Sequence, residues 1–180
     1  MRKFIIFLSV LLCFAKSVYS YDDKKTHRDI TEKAVDASSL GVYLKNNLGL
    51  QEGVSSLINN KTVTWWLREG AYLEDSPMCR ASNHFHNPLL PWDQSYMSDE
   101  PWWIATYCGA TGYSTKYSSV TWGTGYLSPA SSGTKTSISS QEWGWDDTRN
   151  YYYLALTSSA NTDRETYFAN TFQTLGQVRL

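Results

Sequence analysis

Histidine is scarce in this chain, with three residues in 180, so any chemistry that needs imidazole must use His27, His84 or His86. No glycine-rich phosphate loop is present. No Ser-His-Asp arrangement is supported either, because each histidine is better placed as a metal ligand or a turn residue. Long apolar runs are missing apart from one, Phe4 to Ala15, which is too short to span a bilayer. An excess of basic charge is also lacking: 16 Lys and Arg stand against 17 Asp and Glu. Broad binding to a phosphate backbone by charge alone is therefore unsupported.

The single apolar run sits behind Arg2 and Lys3 and ahead of the small Ser20, the layout of a secretory signal over residues 1–20. The remainder is then expected to be secreted or periplasmic. Cys13 follows the bulky Leu12, which argues against a lipoprotein cysteine. Without the signal, 13 basic residues face 17 acidic ones, a net charge of -4, and about 160 residues remain, enough for one core. Cys79 and Cys108 remain with them, and an even pair in an oxidising compartment predicts a disulfide.

Periodicity predicts a mostly α domain over 21–180. Thr26 reads as an N-cap with Asp29 three residues on, and Ile30, Ala34 and Val35 recur at helical spacing, which puts His27 in the opening turn of a first helix over 27–38. Residues 39–50 read as a short second helix stopped by Gly49. Thr62 opens a third, with Val63, Trp66, Leu67, Gly70 and Ala71 in phase, ending near Asp75 before Pro77. Between 88 and 141, Gly, Ser, Thr and aromatics dominate, and a long irregular insertion with a short hairpin around 118–129 is expected. Helical patterning returns at Asp146, with Tyr152, Ala155 and Leu156 on one face, and a last helix is capped by Asn161 or Thr162. No internal repeat is visible.

The segment "LREGAYLEDSPMCRASNHFHNP", residues 67–88, holds three carboxylates, two histidines and a cysteine. Asp75 stands at a helix end and His84 follows nine residues later, close enough for a turn through Pro77 to bring both to one point. Imidazole with carboxylate suits zinc. In an extended "NHFHNP", His84 and His86 share one side, and only one of them need be a ligand. Equally, these residues can cap a helix and decorate a surface turn. Glu69 and Glu74 read either as groups holding a histidine N–H or as solvated helix glutamates.

Taken together, a capped helix opening with histidine, an "E-G-x-Y-x-x-D" helix end and "S-N-H-F-H-N-P" resemble the zinc-dependent phospholipase C and S1/P1 nuclease superfamily. The resemblance implies a helical bundle of that type and up to three zinc ions in an intact member. It assigns His27, Asp75 and His84 as zinc ligands, and it assigns the backbone of the mature first residue, Tyr21 after cleavage at Ser20, to the same cluster. The family usually has tryptophan at that first position, nearer the histidine. Clustered zinc would make the chain a phosphodiester hydrolase, acting on phospholipid or nucleic acid, with Asp75 orienting the attacking water or taking its proton. Choline-selective members carry aromatics where Ser76 and Ala81 stand here. The family continues beyond a stretch like "TFQTLGQV" with "H-x-x-x-D" and further histidines, whereas Leu180 is the last residue here. The expectation is thus a truncated form with a partial zinc site, low or no activity, and apolar faces on its last two helices free to self-associate.

Eight tryptophans and thirteen tyrosines admit a stacking surface or an interfacial belt for contact with a membrane surface. Trp65, Trp66, Trp143 and Trp145 read as helix filling, and Trp102, Trp103 and Trp122 as open to a surface role. The competing function is a non-catalytic, disulfide-linked exported protein that binds a partner through this aromatic middle region.

Overall fold

The computed structural model describes residues 22–76, 78–81, 83, 86–91, 94–96, 101–110, 117–124 and 143–178. Residues 1–20, where a signal was expected, Tyr21, His84, Leu180 and much of the 88–141 region lie outside the described residues. What is described is mostly helical: α1 (Asp23–Ala37), α2 (Leu40–Leu48), a hairpin of β1 (Leu57–Ile58) and β2 (Lys61–Thr62), α3 (Val63–Leu73), α4 (Met78–Ala81), α5 (Trp102–Ala110), α6 (Ser119–Thr124), α7 (Trp145–Thr157) and α8 (Asn161–Gln177).

Local chemistry explains most boundaries. Thr62 caps α3, its hydroxyl accepting from the Trp65 N–H at 3.1 Å. Gly49 ends α2 at φ 70, a left-handed turn in which its N–H reaches Leu44 O. The β1–β2 hairpin, which periodicity did not announce, turns through Asn59 and Asn60 at φ 50 and 61, and residues in this conformation close two-residue hairpin loops.

Several expectations are corrected. Helix α1 begins at Asp23 with Asp22 as N-cap, and the Thr26 N–H bonds to Asp22 O at 2.8 Å, so Thr26 lies inside the first turn and cannot be the cap. On its face only Val35 is buried, and Ile30 and Ala34 point to solvent. The 88–141 region is not wholly irregular. It contains α5 and α6, and α6 stands where a hairpin was expected because Ser118 Oγ accepts from the Thr121 N–H at 3.1 Å and starts a helix. Helix α7 starts at Trp145, with Asp147 accepting from the Gly144 N–H at 2.7 Å, and its Leu156 is exposed while Ala155 is buried. Helix α8 has Ala160 as its N-cap without a side-chain bond, and Asn161 instead pairs with Arg164.

The helices pack in the order α1, α3, α8, α7. Val35, Leu44, Ile58, Val63, Leu67, Ala169 and Phe172 form the core between them. The apolar face of α8 expected to be exposed is therefore covered, whereas Tyr153 and Leu156 of α7 remain exposed. Helices α3 and α8 touch backbone to backbone. A methyl on Gly70 would overlap the carbonyl of Gln173 and stand 3.1 Å from Gln177 N, and one on Gly176 would overlap the backbone of Leu67. Thr148 Oγ1 bonds Thr174 Oγ1 at 3.0 Å between α7 and α8, next to ring contacts of Tyr151 with Tyr167 and of Tyr152 with Phe168.

Gly70→Ala and Gly176→Ala are each expected to cost at least about 2 kcal/mol despite the helix propensity gained, because backbone cannot give way as a side chain tip can. Gly109→Ala, with nothing within 4 Å, is expected to be neutral or stabilising. Urea denaturation of the three variants checks the contrast.

Candidate metal centre

Helices α1 and α3 run antiparallel and are joined by a ladder of polar contacts. Arg68 on α3 reaches Glu32 on α1 at 2.9 Å. Arg28 grips Glu69 through Nη2 to Oε2 at 2.8 Å and Oε1 at 3.0 Å, and through Nε to Oε2 at 3.2 Å, while its guanidinium lies 4.1 Å from the centre of the Tyr72 ring. Glu69 is thus neither a histidine holder nor a freely solvated glutamate. It docks α1. The next rung is His27, whose Nε2 meets Asp75 Oδ2 directly. Glu69, Tyr72 and Asp75 are spaced by three along α3 and the turn that follows it, so one edge carries all three.

The turn holding Asp75 is itself clamped. Arg80, buried in α4, donates from Nη1 to the carbonyls of Leu73 at 2.8 Å and Ser76 at 3.2 Å, on either side of Asp75. Its Nη2 donates to Glu74 Oε2 at 2.9 Å, and the other carboxylate oxygen of Glu74 accepts from Trp122 Nε1 at 2.6 Å. The Arg80 guanidinium stacks 4.0 Å from the centre of the Trp143 ring. Glu74 is accordingly a buried structural anion, not a solvated one. Trp122 is buried as its partner, which corrects the surface role expected for it. Trp145, expected as filling, is exposed. Sequence reasoning did not single out Arg80. The available signal was a cationic residue beside Cys79, and Cys79 is joined to Cys108 by the expected disulfide.

His27 and Asp75 are thus brought together, with side chains 20% and 7% exposed. An imidazole nitrogen and a carboxylate oxygen, both largely withdrawn from water, form a donor pair that fits zinc better than a hard cation, which prefers oxygen alone. Among the described residues no third His, Cys, Asp or Glu completes a group of three. His84 and Tyr21, the other nominated ligands, lie outside the described residues. Asn83, just before His84, is buried and accepts from the Tyr117 N–H at 3.2 Å. His86 is exposed, with Nδ1 3.3 Å from Ser119 Oγ. Comparison with protein-family models, with curated proteins and with solved structures gives no match to this chain.

Removing one partner of a buried ion pair strands the other charge. Arg80→Ala is expected to cost about 3–5 kcal/mol on that ground. Glu74→Gln also removes the anion from Arg80 but should cost less, since the amide oxygen can still accept one bond and Arg80 keeps the carbonyls of Leu73 and Ser76 and the Trp143 ring. Chemical denaturation of both variants orders the two effects, and equal costs would contradict the clamp.

Proposed function

We propose that the chain carries part of the metal site of a zinc-dependent phosphodiester hydrolase of the phospholipase C and S1/P1 nuclease type. The observation that supports it is the contact of His27 with Asp75. These residues are 48 positions apart, and both are ligand positions of the sequence pattern.

His27 and Asp75 would hold the ion, and the resemblance adds His84 and the Tyr21 terminus as further donors. Zinc, when bound, supplies positive charge to phosphodiester oxygens and lowers the pKa of a water. Asp75 would hold the ion through one carboxylate oxygen and, through its carboxylate, would orient a nearby water or take its proton. Arg28 is engaged by Glu69, so it holds α1 on α3 and thereby sets where His27 points. Arg80 and Glu74 hold the backbone on both sides of Asp75, which limits how far its carboxylate can swing. Phospholipid and nucleic acid both remain substrates of this reading, because Ser76 and Ala81 offer no aromatic wall to select a headgroup.

Zinc takes about four donors, and its affinity follows how well the fold orders them. The competing reading, a non-catalytic protein that binds through its aromatic middle, is favoured by the exposure of Trp102 and Trp103. Calorimetric zinc titration separates the two readings. His27→Ala and Asp75→Asn are each expected to weaken zinc binding at least about tenfold, since each removes a donor. Residual hydrolysis of a chromogenic phosphodiester should vanish in Asp75→Asn. Zinc affinity equal in all three proteins would contradict the proposal.

A further inference from the structure

Helix α5 carries no charged residue, and none occurs from Pro101 to Thr115. Its outward side is aromatic: Trp102 is 79% exposed, Trp103 54% and Tyr107 57%. Trp103 and Tyr107, four apart, share one face, with Trp102 beside them. The opposite side is pinned. Cys108 is fully buried and covalently joined to Cys79, so α5 cannot roll its aromatics inward without leaving that anchor. The exposed hydroxyl between them, on Thr106, donates to the Trp102 carbonyl at 2.9 Å, so its proton is satisfied within the helix.

We propose that α5 is an interfacial helix that lays Trp102, Trp103 and Tyr107 into the headgroup region of a zwitterionic phospholipid surface. Indole and phenol rings pair an apolar body with a polar tip, which suits them to the boundary between acyl chain and headgroup. Nine helical residues span only about 13 Å, far short of a hydrocarbon core of about 30 Å, so the helix lies on the membrane and does not cross it. Without charge on α5 there is no pull toward anionic lipid, and the chain's net charge of -1 adds none, so a zwitterionic surface suffices. Area argues against a second copy as the occupant. At 150–250 Å² for each whole aromatic, the three exposed fractions sum to on the order of 400 Å². A stable protein interface needs roughly 800 Å² from each partner. The proposal rests on α5 alone and stands or falls independently of the metal site.

The test is flotation of the full chain with phosphatidylcholine vesicles, read by hydroxyl-radical footprinting so that the apolar run Phe4–Ala15 cannot account for the result. Vesicles should protect the indoles of Trp102 and Trp103 while Trp145, exposed on α7, stays reactive. Vesicle affinity of Trp102→Ser/Trp103→Ser should fall at least tenfold, and wild-type binding should be unchanged by high salt. Footprinting of the unaltered protein decides the matter if the double variant misfolds. Reactive Trp102 and Trp103 on vesicle-bound protein would overturn the proposal, as would binding that requires anionic lipid and is lost in salt. A dimer that protects these indoles without lipid and dissociates in the double variant would replace the membrane with a second copy.

Discussion

Everything else in this fold depends on how closely α3 and α8 approach. Gly70 and Gly176 let the two backbones touch, each occupying the space a methyl group would need. That contact leaves the flanking side chains to interdigitate, so Leu67, Phe172 and Ala169 close an apolar core around the crossing. One flank of α3 is then committed to α8. The flank facing α1 is polar, and α1 is accordingly held by the Arg28–Glu69 and Arg68–Glu32 pairs more than by apolar burial. Half-exposed pairs of this kind contribute little net stability each, but they define register well. Register is what carries His27 to Asp75.

The low-charge middle of the chain supports that meeting point from the other side. Trp122 of α6 donates to Glu74, Trp143 covers Arg80, and Cys108 of α5 is bonded to Cys79 one residue before Arg80. Three separate segments therefore converge on the turn that displays Asp75. A buried ion pair by itself is a poor source of stability. Here its second use is geometric, because the same guanidinium that neutralises Glu74 also binds the carbonyls of Leu73 and Ser76.

Helix α3 was legible in the sequence because its signals are local: a threonine cap, apolar residues in phase and a proline shortly after the end. The Gly49 stop and the disulfide were legible for similar reasons, one from a single residue's conformational freedom and the other from counting cysteines. Gly70 read only as an in-phase position, and its function depends on Gly176, 106 residues away, which no periodicity reports. Helix α1 misled because its packing face is charged, so an apolar pattern selected Ile30 and Ala34, which face water. Trp122 misled because scarcity of charge around it looked like a loop, while the carboxylate it serves lies 48 residues earlier. The pairing of His27 with Asp75 was foreseen only through a resemblance in pattern, since neither residue carries a local sign of the other.

The central claim is that α1 and α3 deliver His27 and Asp75 to one metal ion. Diffraction from crystals grown with zinc, recorded on both sides of the zinc absorption edge, tests this most directly. The account predicts an anomalous peak bonded to both His27 Nε2 and a carboxylate oxygen of Asp75. Saturating zinc that leaves this position empty, or binds only at the exposed His86, would contradict it.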